Sequence, residues 1–453
     1  MSFKKCAYLL LIALATLNVS AQKVKKLPKK PNIIYILADD LGIANVSCYG
    51  ADLFKTPEID KLAKNGIRFD NAYTAPLCGP SRALIMTGRY PFRTGAMNQD
   101  QTSLMKQTEE IMMPSTLKPA GYVTSCVGKW GQLPLGPAEF GFDDFIRFKG
   151  SGVYWNDKTK GEEYVENGET KTLKDDEYMP DLMHNHLVNF LAKNKEKPFY
   201  VYYPMSHIHA KIVRTPDSKP GSDLYTDNIN YMDKLVGKLM KVLDSLKLRD
   251  NTLIFFMGDN GEAGAHGLSS TINGGKHLIG KKGTMQECGS LVPLIANWPG
   301  VIAPSQTTKS IIDATDFFPT ITEIAGGKLP DNTIIDGRSF AQQLIGKKEP
   351  KRDWMFMELG KTWYVREAKW KLNKENELFD MSKAPYEEIL VPSDTKDKEA
   401  IEARVRIQGI LDKLNPAGGK LDEGDGSGRH ANKVKNEKGE KVKKNKNKEK
   451  EEE

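Results

Sequence analysis

Two short runs constrain the fold of this chain more than any other feature. Asn32–Ala38 and Thr252–Met257 are almost wholly apolar, and each stops abruptly, the first at Asp39-Asp40 and the second at Gly258-Asp259-Asn260. Continuous apolar runs of this length suit strands buried on both faces, as in the interior of a parallel sheet. Ile67–Ala72, Tyr122–Val127, Phe199–Tyr203 and Leu291–Asn297 read as further short strands. Helical signals lie between them. They are 57–65, opened by Pro57 and Glu58; 81–86, behind a proline; Asp223–Leu246, with Met232, Leu235, Val236, Leu239 and Leu243 along one stripe; and Ala314–Ala325. This order predicts an α/β fold over 31–350, a large mostly parallel sheet with helices on both faces. Such sheets take ligands outside the carboxyl ends of their strands, where both acid-rich ends fall. Ordinary turn formation by Asp, Asn and Gly accounts for either end taken alone. Downstream, Trp354–Leu359 and Thr362–Glu367 predict a hairpin about Gly360-Lys361, and Ala400–Leu411 predicts a helix packed on it. Together they form a small C-terminal α+β subdomain over 351–415.

The two ends differ in kind from the middle. Lys4-Lys5, the apolar run 6–17 and Val19-Ser20-Ala21 before Gln22 read as a secretory signal over 1–21, with a basic linker over 22–30. The run is short for a permanent membrane span and no later stretch resembles one. An exported protein, periplasmic or secreted and without a transmembrane anchor, is therefore expected. Residues 416–453 read as a low-complexity disordered tail, Gly- and Asp-rich at first and Lys/Glu-rich beyond. The formal charge of +7 belongs to these ends. Residues 1–30 hold seven lysines and no acid, 431–453 hold nine lysines against six glutamates, and 31–430 therefore carry a net −3. That distribution gives no basis for a nucleic-acid partner. Cys6 falls in the signal. Cys48, Cys78, Cys126 and Cys288 have neither disulfide-scaffold nor zinc spacing and, Cys78 apart, are expected to be buried thiols.

Asp39, Asp40, Asp259 and Asn260, gathered at strand ends, would offer the hard oxygen ligands that calcium and magnesium prefer. Hydrolases of phosphate esters and of sulfate esters both use such metals on sheets of this kind. The run Pro76-Leu77-Cys78-Gly79-Pro80-Ser81-Arg82, continuing to Thr87-Gly88-Arg89, separates the two. It contains Cys-x-Pro-Ser-Arg followed by Thr-Gly and resembles the signature of the type I sulfatase family, in the alkaline-phosphatase-like superfamily. Similar segments extend over about 31–390: Asn32–Asp40, Gly128-Lys129-Trp130, Gly258-Asp259-Asn260-Gly261, Lys282-Gly283-Thr284, Trp298-Pro299-Gly300, Asp316–Thr320, Asp336–Ser339 and Glu377–Asp380.

The resemblance implies a sulfuric ester hydrolase in which a separate maturation enzyme oxidises Cys78 to formylglycine. It also implies one Ca²⁺ held by Asp39, Asp40, Asp259, Asn260 and the modified residue 78, with Arg82, Lys129 and Lys282 around the sulfate. A hydrated aldehyde has a second hydroxyl, which lets sulfate leave as the carbonyl re-forms; neither Ser nor Cys offers that. The family histidine that assists the leaving oxygen commonly stands before x-Pro, and neither His207 nor His209 does. Spacing from Met205 and to Thr215-Pro216 favours His209, with His207 second. His266, just beyond Asn260, is a further candidate for the pocket wall. One departure stands out. The family continues Gly-Lys-Trp with His, whereas this chain has Gly131-Gln132, and an amide cannot exchange a proton at a useful pKa. The aromatic and charged stretch 150–180, with Tyr154, Trp155 and Tyr164, reads as a pocket rim suited to a sulfated carbohydrate or as a plain solvated loop. Two other readings are a phosphate or phosphonate ester hydrolase and a glycan-binding homologue impaired in catalysis.

Overall fold

The computed structural model describes residues 27–428 apart from 160, 265–270, 348–351 and 425. The signal segment, His266 and the Lys/Glu-rich part of the tail lie outside the described residues. Ten strands form the main sheet. In chain order they are β1 (Asn32–Ala38), β2 (Ile67–Tyr73), β3 (Val123–Val127), β4 (Asp144–Phe148), β5 (Glu163–Glu166), β6 (Glu169–Thr172), β7 (Phe199–Pro204), β8 (Thr252–Gly258), β11 (Leu291–Asn297) and β12 (Gln306–Asp313). A short hairpin, β9 (Thr271–Ile272) with β10 (Lys276–His277), precedes β11. Across the sheet the order is β12-β2-β11-β8-β1-β7-β3-β4-β5-β6. Five of the nine pairings are parallel, including both that flank β1. The sheet is thus mixed, and β11 runs antiparallel to both β8 and β2. Its apolar run is buried throughout, so composition shows that the strand is interior and carries no mark of direction.

β1 is buried over its whole length, and alternate residues enter different cores. Ile33, Tyr35 and Leu37 join one face with Phe255, Met257 and Tyr202. Ile34, Ile36 and Ala38 join the other with Ile254, Phe256 and Val201. Among the described residues six helices have eight residues or more: α1 (Pro57–Lys64), α2 (Cys78–Thr87), α3 (Met179–Asn194), α4 (Leu224–Ser245), α5 (Phe317–Ala325) and α6 (Lys398–Leu414), the last in the C-terminal unit. Residues of α2 and α5 pack on the first face, and residues of α1, α3 and α4 on the second. Exposing any one of the large aliphatic side chains would forfeit roughly 1.5–3 kcal/mol. The register sets the site. Ala38 pairs with Gly258 and Leu37 with Pro204, so Asp39, Asp259 and the loop after β7 emerge side by side.

The C-terminal unit is a five-stranded antiparallel sheet: β13 (Trp354–Leu359), β14 (Thr362–Glu367), β15 (Trp370–Asn373), β16 (Leu378–Asp380) and β17 (Ile389–Leu390). The β13–β14 hairpin turns at Gly360-Lys361, with Leu359 opposite Thr362, and α6 packs on β15 and β14. Residues 416–428 correct the expected start of the tail. They return across residues 92–101 as a strap. Lys420 N donates to the Phe92 carbonyl at 2.7 Å, Gln101 Nε2 to the Leu421 carbonyl at 3.1 Å, and Gln99 N to the Gly428 carbonyl at 3.2 Å. The buried Asp422 accepts from Asn98 Nδ2 and from the amides of Gly424 and Gly426. Gly and Asp here serve turns and backbone capping, which a composition reading cannot tell from disorder.

Candidate active site

The carboxyl end of β1 delivers Asp39 and Asp40, and that of β8 delivers Asp259 and Asn260. Asp40 has φ 58°, an uncommon left-handed backbone for a residue other than glycine. The turn is held by hydrogen bonds from Asp40 N to Asp259 Oδ1 at 3.0 Å and from Asn260 Nδ2 to Asp40 Oδ1 at 2.9 Å. Cys78 opens α2. Ser81 Oγ donates to the Ala75 and Leu77 carbonyls at 2.8 and 2.9 Å, which fixes the entry of the chain into the helix. One turn on, Arg82 lies under the acids. Its Nη2 donates to Asp259 Oδ2 at 2.8 Å and Asp39 Oδ2 at 3.4 Å, and its Nη1 donates to the Lys129 carbonyl at 3.0 Å and Tyr202 Oη at 3.3 Å.

Lys129 follows β3 through Gly128, whose φ is +126° and where a Cβ would come within 2.1 Å of the Pro204 carbonyl; only glycine admits that approach. The Lys129 Nζ reaches Asp39 Oδ2 at 2.5 Å. Lys282 Nζ reaches Asp40 Oδ1 at 2.5 Å, and the next amide, Gly283 N, donates to the Pro76 carbonyl at 2.8 Å, tying this loop to the Cys78 segment. His209 Nε2 lies 3.9 Å from Asp40 Oδ2. The structure therefore brings Asp39, Asp40, Cys78, Arg82, Lys129, His209, Asp259, Asn260 and Lys282 into one cluster.

His207 is not part of it. Its fully buried ring lies among Tyr154, Tyr178 and Tyr231, with Nε2 3.0 Å from Tyr178 Oη, and burial holds its pKa down to about 3. The cause is a register of two residues: the backbone between 207 and 209 turns one side chain into the core and the other toward Asp40. Tyr154 supports that turn, since its hydroxyl donates to the Ser206 carbonyl at 2.8 Å and the His209 carbonyl at 3.0 Å. Trp155 Nε1 donates to the Arg214 carbonyl at 2.7 Å. Part of the 150–180 stretch thus borders the site, whereas Tyr164 lies apart, in β5.

Burial would raise the Asp39 carboxyl, but Lys129, His209, Arg82 and Lys282 outweigh it and hold the group down to about 2. Asp259 is pushed up to about 7, by burial first and then by Asp39, against Arg82 and Lys129. Burial lowers Lys282 and Lys129, yet their neighbouring carboxylates leave both above the ordinary lysine value. His209 lies below the usual histidine value because burial outweighs Asp39.

The donor set fits a hard divalent cation. Asp39 Oδ1 and Asn260 Oδ1 are buried acceptors without a hydrogen-bond partner, an expensive state for oxygen atoms unless a cation meets them. One ligand atom each from Asp39, Cys78 and Asp259 lies within 4.8 Å of the others, and so do atoms of Asp39, Asp40 and His209. Both groups contain Asp39.

Two amides lie beside Cys78, and one of them, Gln99, carried no signal in the sequence. Gln99 Nε2 is 3.0 Å from Cys78 Sγ, and its Oε1 accepts from Gly79 N at 2.7 Å. Gln132, noted only as a departure, places Oε1 3.8 Å from the same sulfur. Gln99 is brought in by a turn whose cap, Asn98 Oδ1, accepts from Gln101 N at 2.7 Å. The cap is a local feature; the approach to residue 78 is not. Cys126 and Cys288 are buried and Cys48 is partly exposed, and all four described cysteines are free. Among the described residues no helix is long and apolar enough to cross a membrane.

Comparison with known proteins agrees with this geometry. The sequence matches the Sulfatase family over residues 31–327 and the N-sulphoglucosamine sulphohydrolase C-terminal family over 275–408. It is 30% identical to an N-acetylgalactosamine-6-O-sulfatase of Bacteroides thetaiotaomicron, covering 80% of this chain and 86% of that one. It is also 30% identical to human steryl-sulfatase, covering 71% and 70%. The solved structure of Ps i-CgsB in complex with k-i-k-neocarrahexaose superposes with a TM-score of 0.75 at 28% identity, covering 87% of this chain and 95% of that one. The Cys78–Arg82 segment on α2, the acid-lined strand ends and these matches agree, and the chain belongs to the sulfatase family and is a sulfatase.

Proposed function

We propose that this protein is an exported, formylglycine- and Ca²⁺-dependent sulfatase that hydrolyses a sulfate ester on a carbohydrate. The observation that carries the reading is Cys78 in the first turn of α2, at the junction of Arg82, the buried Lys129, the largely covered Lys282 and an oxygen-rich cation position. The Sγ of Cys78 stands in for the oxygens of the hydrated formylglycine. When formed, that hydrate would supply one hydroxyl for attack on sulfur and a second whose loss of a proton would let sulfate leave as the aldehyde re-forms. A calcium ion on Asp39, Asp40, Asp259, Asn260 and residue 78 would supply Lewis acidity toward the nucleophile and the sulfate.

The chain's own groups account for the rest. Arg82, anchored by Asp259 and Asp39, balances charge beneath residue 78. Lys129 and Lys282, one on each side of the acids, present preorganised positive charge to the sulfate oxygens. His209, beside Asp40 and partly open to solvent, is placed to hold the leaving oxygen and return its proton. A carbohydrate is favoured by the Bacteroides relative named for an amino-sugar sulfate and by the solved structure holding an oligosaccharide. The Cys78-Gly79-Pro80-Ser81-Arg82 run and the oxygen-rich donor set argue against two-zinc phosphoryl chemistry.

The test combines mass and turnover. In protein from a host with a maturation enzyme, the peptide containing residue 78 should carry an aldehyde in place of the thiol, and the recovered chain should start near Gln22. Sulfate should be released from at least one member of a panel of sulfated saccharides. Cys78→Ser should fold and lose almost all turnover, because a single hydroxyl cannot expel sulfate by carbonyl formation. A serine variant as active as the parent, with both side chains unmodified, would refute the reading.

A further inference from the structure

We infer that Gln99 is a positioning residue for the reaction: with Gln132 it orients the two oxygens of residue 78 by hydrogen-bond polarity, and the C-terminal strap holds it there. The inference rests on the function proposed above. Gln99 Oε1 is committed to Gly79 N at 2.7 Å, so its amide nitrogen is the atom that faces residue 78, at 3.0 Å. Gln132 is turned the other way. Its Nε2 points to Ser151 Oγ at 3.5 Å and its Oε1 faces residue 78 at 3.8 Å. A donor and an acceptor therefore both face residue 78.

A geminal diol needs that asymmetry. The oxygen that attacks sulfur carries developing negative charge and is favoured by a donor. The oxygen that stays protonated until sulfate leaves is favoured by an acceptor. Neither amide takes up the proton in the last step. It passes to solvent or to another base while the C–O bond to sulfate breaks and the carbonyl forms, so the amides act only by orientation. This also answers how Gly131-Gln132 can serve where an imidazole is otherwise expected: two fixed amides replace one ring in holding the hydrate.

Gln99 does not stand alone. A Cβ at Gly79 would meet its Oε1 at 2.3 Å, so residue 79 must be glycine for this contact. Its backbone amide donates to the Gly428 carbonyl at 3.2 Å, Gly360 N donates to the Met97 carbonyl at 2.8 Å, and Asp422 holds Asn98. The strap, with the β13–β14 turn at Gly360, thus fixes the backbone of 97–101 from outside the catalytic domain.

The experiment compares Gln99→Met and Gln99→Glu with the parent on one good substrate, with kcat divided by the converted fraction at residue 78 measured by mass. Methionine removes both contacts, whereas glutamate keeps the acceptor for Gly79 N and removes the donor. Both should lower kcat by about 10- to 100-fold with KM changed by less than about threefold. Near-parental kcat in the glutamate variant would overturn the proposal, because anchoring Gly79 would then suffice. So would parental kcat in the methionine variant, or a loss fully explained by unconverted residue 78. A chain ending at Gly419 should show the same fall in kcat, and a chain ending at His430 should not; equal activity in the two would refute the bracing role of the strap. Should the converted parent itself release no sulfate from any substrate, the proposed function falls before a variant is compared, so the two failures are distinguishable.

Discussion

Replacing Asp259 by Asn tests the metal position and the buried charge balance together. The change keeps the shape, and Oδ1 can still accept from Asp40 N, which it does at 3.0 Å in the parent. What is lost is the charge facing Arg82. That guanidinium is fully buried and keeps only Asp39, at 3.4 Å rather than 2.8 Å. Removing one partner of a buried pair costs about 3–5 kcal/mol. The lower end applies, because a second carboxylate remains and because Asp39 already opposes ionisation of Asp259. At about 2.1 cal/mol/K per residue, a chain of this length shifts its Tm by about 1 °C per kcal/mol, so Asp259→Asn should unfold about 3 °C lower in chelator. Calcium at a hundred times its Kd adds about 2.7 kcal/mol to the parent and should add nothing to the variant, which widens the gap to about 6 °C. Turnover should fall at least about 100-fold, as for loss of a group that acts on the developing charge. Thermal unfolding of both proteins, each in chelator and in calcium, reads all four states. An equal calcium-induced rise in parent and variant would show that Asp259 is not a ligand, and no rise in either at millimolar calcium would refute the choice of metal.

The two histidines separate by substrate: His209→Ala should lower kcat more for a sugar sulfate than for an aryl sulfate, whose leaving oxygen needs no proton, while His207→Phe should keep kcat and change only Tm. Equal losses in the two variants would reverse the assignment. Glu358 gives a pH prediction. Burial, with Asp422 second, pushes its carboxyl up to about 8 from an ordinary value of 4.5, so the folded state retains a proton that the unfolded state releases. The associated stability is fully present below about pH 4.5 and is lost as pH rises toward 8. Glu358→Gln, able to keep the acceptor for Phe92 N, should therefore exceed the parent in Tm at pH 8 by more than at pH 5; a gap independent of pH would show that Glu358 is ionised in the fold.

What could be read from the sequence follows the range of the interactions involved. Asn32–Ala38 and Thr252–Met257 declare themselves as interior strands because burial on both faces leaves a continuous apolar run, and their terminal acids meet because parallel neighbours end at one edge. The Cys78–Arg82 spacing is one helical turn, a local fact. The direction of β11 is not local, since an apolar run packs equally well either way. Nor is the choice between His207 and His209, which depends on which side of a tight loop faces Tyr154 and Tyr178. Gln99 was illegible for the same reason. Its neighbours in sequence are polar and ordinary, and only the pairing of residues 97–101 with a strap from the far end of the chain brings it to residue 78. The strap itself was taken for tail because turn-forming and disordered segments share a composition.

The electrostatics of the cluster explain why such a site can be buried and still await an anion. Asp39, Asp40 and Asp259 lie against Arg82, Lys129 and Lys282, and contacts of 2.5–2.8 Å join each acid to a cation. Three negative and three positive charges nearly cancel, which limits the desolvation cost that an unbalanced buried group would carry. Two oxygens, Asp39 Oδ1 and Asn260 Oδ1, are left over. A divalent cation meeting them would raise the net charge of the cluster to about +2, a field that favours an anionic ester and that a sulfate ester, a monoanion, would offset by half. A phosphate monoester carries close to two negative charges near neutrality and would match the same field in charge, so charge alone does not choose between the two esters. Under the proposed function the choice falls to residue 78, whose second hydroxyl would need an acceptor, and Gln132 Oε1 faces that residue at 3.8 Å from the sulfur.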